Sequence, residues 1–161
     1  MDSFDATYRR HYQSLYRYIY RYFGQSAPSE DVVQEAFLKL YRQRQKRPVE
    51  NEKAWLYRVA TNTALSQLGR QQRWQKLLPR YKASMPQNED TADPLVKAET
   101  VALLQQALSR LSKRDRVLLM LFQEEMSYKE MAEVTGIKPT SVGKLLARAM
   151  QRCAKELENA S

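Results

Sequence analysis

Ser127-Tyr-Lys-Glu-Met-Ala-Glu-Val-Thr-Gly-Ile-Lys-Pro-Thr-Ser-Val142 reads as two helices folded about a glycine. Ser127, with Glu130 three residues on, fits a reciprocal cap in which each side chain takes the other residue's orphan backbone N–H. Met131, Ala132 and Val134 then supply an inward face. Gly136 permits the tight turn, and Ile137 plugs the angle between the helices. Pro139 opens the second helix in its first turn, where a missing N–H costs nothing. The unit is a helix-turn-helix candidate. At about 100° per residue, Val142, Leu146, Ala149 and Cys153 share the core face of the second helix, which makes Cys153 a buried structural thiol. Thr140, Ser141, Lys144 and Arg148 share the opposite face. Hydroxyls and cations near a helix N-terminus suit phosphates and base edges in a DNA major groove. A structural helix pair with a solvated basic face fits the same spacing.

Outward from this unit the apolar spacing stays helical nearly throughout, and no strand pattern of any length occurs. Phe4, Tyr8, Tyr12, Leu15, Ile19 and Tyr22 mark a first helix from about Ser3 to Tyr22, ended by Gly24. A turn at Gln25 to Ser29, with Pro28, leads to a second helix from about Glu30 to Gln45, stopped by Pro48. Asn51 caps a third, whose stripe is Trp55, Val59, Leu65 and Leu68 and which continues or restarts to about Leu78. Residues 79–93 are polar and aperiodic, and read as a linker. Asp93-Pro94 then starts a helix with Leu95, Ala98, Val101, Leu104, Leu108 and Leu111 as its stripe, and Ser112 to Asp115 caps another. The expected fold is all-α, two small helical bundles joined by a flexible linker. The N-terminal bundle spans 1–78, and the C-terminal one, 94–161, holds the helix-turn-helix.

Composition narrows the function. The 161 residues carry a net charge of +9, a surplus that suits a polyanionic partner such as nucleic acid. One cysteine and one histidine exclude an internal disulfide, a cysteine-based zinc cluster and the usual histidine-paired catalytic sites. No glycine-rich phosphate loop or nucleophile–base pair stands out, so no enzyme, cofactor or metal is expected. The N-terminus lacks an apolar run and the longest such run, Val117 to Phe122, is too short to span a bilayer. A cytoplasmic protein without membrane insertion is expected.

Two surfaces of the N-terminal bundle invite a function. On the second helix Val32, Val33, Ala36, Phe37 and Leu40 face inward, while Asp31, Gln34, Glu35, Leu38 and Arg42 cluster outward. A leucine ringed by acids, amide and arginine resembles a docking patch, although a lone surface leucine is also ordinary. Between Lys53 and Asn88 there is no acidic residue, but there are Arg58, Arg70, Arg73, Lys76, Arg80 and Lys82. Trp55, Tyr57, Thr61, Asn62, Thr63 and Trp74 lie among them, a mixture that suits single-stranded or melted nucleic acid. Trp55 also fits the core stripe. Asn62 and Thr63 form helix poorly, which leaves an interruption open there.

Asp31-Val-Val-Gln-Glu-Ala-Phe-Leu-Lys-Leu40, Trp55-Leu-Tyr-Arg-Val-Ala-Thr-Asn-Thr-Ala64 and Ser127-Tyr-Lys-Glu-Met-Ala132, in that order, resemble the extracytoplasmic-function (ECF) sigma factors of bacterial RNA polymerase. The resemblance implies that Asp31, Gln34, Glu35 and Leu38 dock on the clamp helices of the polymerase largest subunit. It implies that Arg58, Thr61, Asn62, Arg70 and Arg73 serve the −10 element, Asn62 holding a flipped base and the arginines holding phosphates. Thr140, Ser141, Lys144 and Arg148 would read the −35 element. An anti-sigma factor, and a monomer off polymerase, follow from the same resemblance. Family members usually carry Gly-Thr-Val and then a basic residue where this chain has Thr140-Ser-Val-Gly143, and Leu145 takes a second basic position. Ser66 and Gly69 interrupt the usual continuation after the −10 segment. A dimeric helix-turn-helix activator and a protein-binding helical adaptor are the competing classes; the first would recognise an inverted repeat, and the second would show little salt dependence with nucleic acid.

Overall fold

The computed structural model of the chain describes residues 2–77 and 94–160, and every regular element among them is a helix. The chain divides into two compact units, Met1–Pro86 and Gln87–Ser161. The linker expected at 79–93 lies outside the described residues.

The first unit is built from α1 (Phe4–Phe23), α2 (Ser26–Lys46) and α3 (Glu52–Leu77), each packed on the other two. Ser3 caps α1 by accepting from the Ala6 N–H, and Gly24 ends it at φ 67°, a left-handed conformation that glycine adopts without cost. α2 starts at Ser26, four residues earlier than expected. Pro28 falls in its first turn, where no i−4 carbonyl awaits a proline N–H, so the proline is accepted instead of forming a turn. Asn51 caps α3 through Oδ1, 3.1 Å from the Ala54 N–H.

No interruption occurs at Asn62 and Thr63. Thr63 donates its hydroxyl to the Val59 carbonyl at 2.9 Å within the helix. Thr61 is turned into the core, where its hydroxyl meets that of Tyr18 at 2.8 Å; Tyr18 in turn bonds Tyr22 at 2.8 Å. The buried face of α3 is Ala54, Leu56, Tyr57, Ala60, Thr61 and Ala64. Trp55, Val59, Leu65 and Leu68, expected as the core stripe, are only half-buried. Three alanines on the true inner face let α1 and α2 approach closely, and alanine carries little weight in an apolar-period reading.

An ion pair closes one end of this bundle. Arg44 donates to both oxygens of Glu52, at 2.7 and 2.6 Å, and to the Thr7 hydroxyl at 2.9 Å, with its cation 5.8 Å from the centre of the Phe4 ring. Residues from all three helices thus meet at one charge pair. The hydrogen bonds from Arg44 hold the Glu52 carboxyl below its ordinary pKa.

The second unit comprises α4 (Pro94–Arg110), α5 (Lys113–Gln123), α6 (Tyr128–Thr135) and α7 (Pro139–Ala160), with α7 packed against the other three. Ser112 caps α5. Its core holds Val117, Leu118, Met120, Leu121, Met126, Met131, Ala132, Val134, Val142, Leu146 and Ala149. Among the described side chains of α4, Ala107 is buried; Leu104, expected on the stripe, is exposed, Leu108 and Leu111 are half-buried, and the side chains of Leu95, Ala98 and Val101 lie outside the described residues. Cys153 is half-buried and not fully enclosed, and burial raises its thiol pKa.

Candidate polymerase- and DNA-facing surfaces

The inner face of α2 is buried as expected: Val32, Val33, Ala36, Phe37 and Leu40 are each at most 2 % exposed. With that side fixed, Asp31, Gln34, Leu38 and Arg42 are exposed together on the other. Leu38 is 57 % exposed at the centre of the cluster. Glu35 is half-buried at its edge, paired with Lys39 at 3.2 Å. Gln34 reaches α1 through a hydrogen bond with the Tyr12 hydroxyl, whose pKa is raised mainly by burial. Tyr41 was not singled out from the sequence, yet it is 51 % exposed and stands three residues, nearly one turn, beyond Leu38. Its ring meets Phe4 edge-on, centroids 5.4 Å apart. The signal was present as an aromatic at i+3 on a polar face. The patch therefore has two apolar centres inside a charged rim, the anatomy of a protein-binding surface.

α3 presents a second surface. Arg58, Asn62, Ser66 and Arg70 are exposed at four-residue steps, with Trp55 and Val59 half-buried beside them. From Arg58 to Arg70 the line runs roughly 18 Å at the helical rise. Arg70 leans weakly on the Ser66 hydroxyl, at 3.4 Å. Thr61 is not part of this line, because its side chain is buried and hydrogen-bonded to Tyr18. The side chain of Arg73 lies outside the described residues.

The helix-turn-helix forms as expected. Ser127 accepts from the Glu130 N–H at 3.1 Å while Glu130 accepts from the Ser127 N–H, completing the reciprocal cap. Gly136 turns the chain at φ 77°. Thr140, Lys144 and Arg148 are exposed on α7 and Ser141 is half-buried. No carboxylate occurs from Pro139 to Lys155, so over that stretch the outward face of the helix is cationic or neutral. Arg152 is drawn aside by Asp115, at 2.7 Å, and does not point with Arg148 to solvent alone. Asp115 is almost fully buried, a feature the Ser112–Asp115 cap did not reveal. Among the described residues no cluster of metal-ligating side chains occurs, and no helix is long and apolar enough to cross a membrane.

Comparison with known proteins adds to this geometry. The family description Sigma-70 region 2 matches residues 7–74, which hold the first two surfaces. Sigma-70, region 4 matches residues 102–153, which hold the helix-turn-helix. The ECF RNA polymerase sigma factor SigE of Mycolicibacterium smegmatis is 29 % identical over 155 residues, which cover 94 % of this chain and 60 % of SigE. The RNA polymerase sigma factor YlaC of Bacillus subtilis is 28 % identical over 162 residues, covering 97 % of this chain and 92 % of YlaC. Among solved structures, the sigma factor RpoE of Bartonella quintana, determined in complex with the anti-sigma factor NepR, superposes with a TM-score of 0.70 at 19 % identity. That likeness covers 96 % of both chains and speaks for the fold.

Proposed function

The chain belongs to the sigma-70 family, in its extracytoplasmic-function branch, and from that membership we propose that it directs RNA polymerase core to specific promoters and assists their opening. The observation that carries this reading is the two-sided α2. Its apolar residues are sealed inside, and Asp31, Gln34, Leu38 and Tyr41 stand outside, on the same chain as a cationic helix-turn-helix.

Asp31, Gln34, Glu35 and Leu38 dock on the clamp helices of the polymerase largest subunit, with Tyr41 extending the patch. Arg58, Arg70 and Arg73 hold phosphates of the −10 element, and Asn62 holds a base drawn out of the duplex. Extrusion costs a few kcal/mol, which contacts to the base edge offset. Thr61 is left out of this set, since its hydroxyl serves the core. Thr140, Ser141, Lys144 and Arg148 meet the −35 element in the major groove. The domains are 1–78 and 94–161, joined by the linker 79–93. An extended chain of about 15 residues reaches roughly 50 Å, so both readers can act while one docking event raises their effective concentration. The protein works in the cytoplasm as a monomer until it meets polymerase. An anti-sigma factor, such as the one bound to the solved relative, covers the docking face and holds the chain inactive.

Replacing Gln34 and Glu35 by alanine should weaken core binding and leave the helical circular-dichroism signal intact. Replacing Asn62 by alanine should lower promoter opening more than core association. Equal loss of both steps with Asn62→Ala would remove the base-holding role.

A further inference from the structure

The outward side of α7 is divided along its length. Thr140, Lys144 and Arg148 form one exposed lane at four-residue steps. Gly143, Ala147 and Met150 form a second lane, roughly 90° round the helix at about 100° per residue. Ala147 is exposed and Met150 is 39 % exposed. The second lane carries no charge and, in its side chains, no hydrogen-bonding group.

Tyr128 completes this lane from α6. A β-carbon at position 143 would stand 3.1 Å from Cε2 of Tyr128 and 3.8 Å from Cδ2 and Cζ. The edge of the ring is seated closely enough that a β-carbon at 143 would push it aside by a few tenths of an ångström. Nearly half of Tyr128 is nevertheless open to solvent. Position 143 can hold a side chain or this ring setting, not both without a shift, and glycine favours the ring. φ at Gly143 lies outside the positive range, so backbone conformation does not call for glycine there; the contact with the ring is what glycine eases.

We propose that Tyr128, seated against Gly143, is a base-reading residue, and that with Ala147 and Met150 it takes the 5-methyl groups of thymines in the −35 element. This rests on the promoter-reading role proposed above and adds the base chemistry to it. In the major groove thymine alone presents an apolar group, whereas adenine and cytosine present amino donors and guanine presents acceptors. A lane of ring, methyl and thioether gives a methyl group a favourable contact. Apart from the Tyr128 hydroxyl at its edge, it offers an amino group or a guanine edge no partner, which costs free energy. The neighbouring lane keeps Lys144 and Arg148 for phosphates and acceptor edges. A charged residue at 143 would instead extend the cationic lane and displace the ring.

The test uses core polymerase loaded with the full chain. The −35 sequences it selects from a randomised promoter library are determined first. Each selected thymine is then replaced by deoxyuridine, which removes the methyl and keeps every hydrogen-bonding group. At one −35 thymine or more, binding should weaken about fourfold, the worth of one buried methyl. Tyr128→Ala should lose that methyl dependence and Tyr128→Phe should keep it. Gly143→Lys should lose it too, and should shift the selected sequence from thymine towards guanine. Selected −35 elements without thymine, or a deoxyuridine penalty unchanged in Tyr128→Ala and Gly143→Lys, would overturn the inference while leaving the promoter-reading role standing. Failure to select any −35 element would overturn both.

Discussion

Leu38→Ala isolates the polymerase-docking contribution of α2 from its contribution to folding. Leu38 is 57 % exposed, on the face opposite the buried Val32, Val33, Ala36, Phe37 and Leu40. Full burial of a leucine side chain is worth about 1.5–3 kcal/mol. Somewhat more than half of that side chain is still available, so docking can gain about 1–1.5 kcal/mol from it. Alanine forfeits most of this, which corresponds to a roughly five- to twelvefold rise in Kd for core polymerase. Leu38→Asp should cost more, because it places a charge about one turn from Glu35 and two turns from Asp31. Neither change opens a cavity, so stability should stay within about 0.5 kcal/mol. Titration of a fluorescently labelled chain with core enzyme gives Kd, and thermal melting gives stability. A Kd within twofold of the parent, or a weakening matched by an equivalent loss of melting temperature, would refute the argument.

Thr61→Val removes the hydroxyl that meets Tyr18 at 2.8 Å in the core. It should cost about 0.5–1.5 kcal/mol through the lost hydrogen bond, because Tyr18 keeps its bond to Tyr22; this reads as a drop of roughly 4–8 °C in melting temperature per kcal/mol, with promoter opening per folded molecule unchanged. Glu52 has a folded-state pKa below its ordinary 4.5 because Arg44 hydrogen-bonds the carboxylate. Its stabilisation is therefore present above the unfolded pKa and is lost as pH falls from there through the folded value. Between pH 6 and pH 3, on the order of that window, Glu52→Gln should show a shallower fall in unfolding free energy than the parent; parallel curves would remove Glu52 from the acid response. Glu125 stands at φ 58° in the turn before α6, a conformation that costs a non-glycine residue about 1 kcal/mol. Glu125→Gly should raise the melting temperature of the second unit by a few degrees, and a fall would show that the glutamate side chain, not its backbone, matters there.

The elements were legible where cap chemistry and a simple apolar period coincide. Ser3, Asn51, Ser112 and Ser127 each cap the helix that follows, and Gly24 and Gly136 end theirs in the left-handed region. The inner face of α2 was legible because its five apolar residues are large. The inner face of α3 was not, because beside Leu56 and Tyr57 it is made of Ala54, Ala60, Ala64 and Thr61, while Trp55 and Val59 sit half outside. Thr61 illustrates the reason: periodicity weighs side chains by type, whereas the Tyr18 hydroxyl supplies a buried partner that no local pattern contains. Pro28 misled in the other direction, since a proline in a first turn and a proline in a loop look alike along the chain. The exposure of Tyr41 and the burial of Asp115 were not legible, for a related cause. Each gains its meaning from a residue distant in sequence, Phe4 for one and Arg152 for the other.

Transcription from a promoter library by purified core polymerase, with and without this chain, tests the central claim most directly. Addition of the chain should produce discrete start sites that share −10 and −35 sequences, and Leu38→Asp should abolish them. Start sites that are the same in number and position with and without the chain would contradict it.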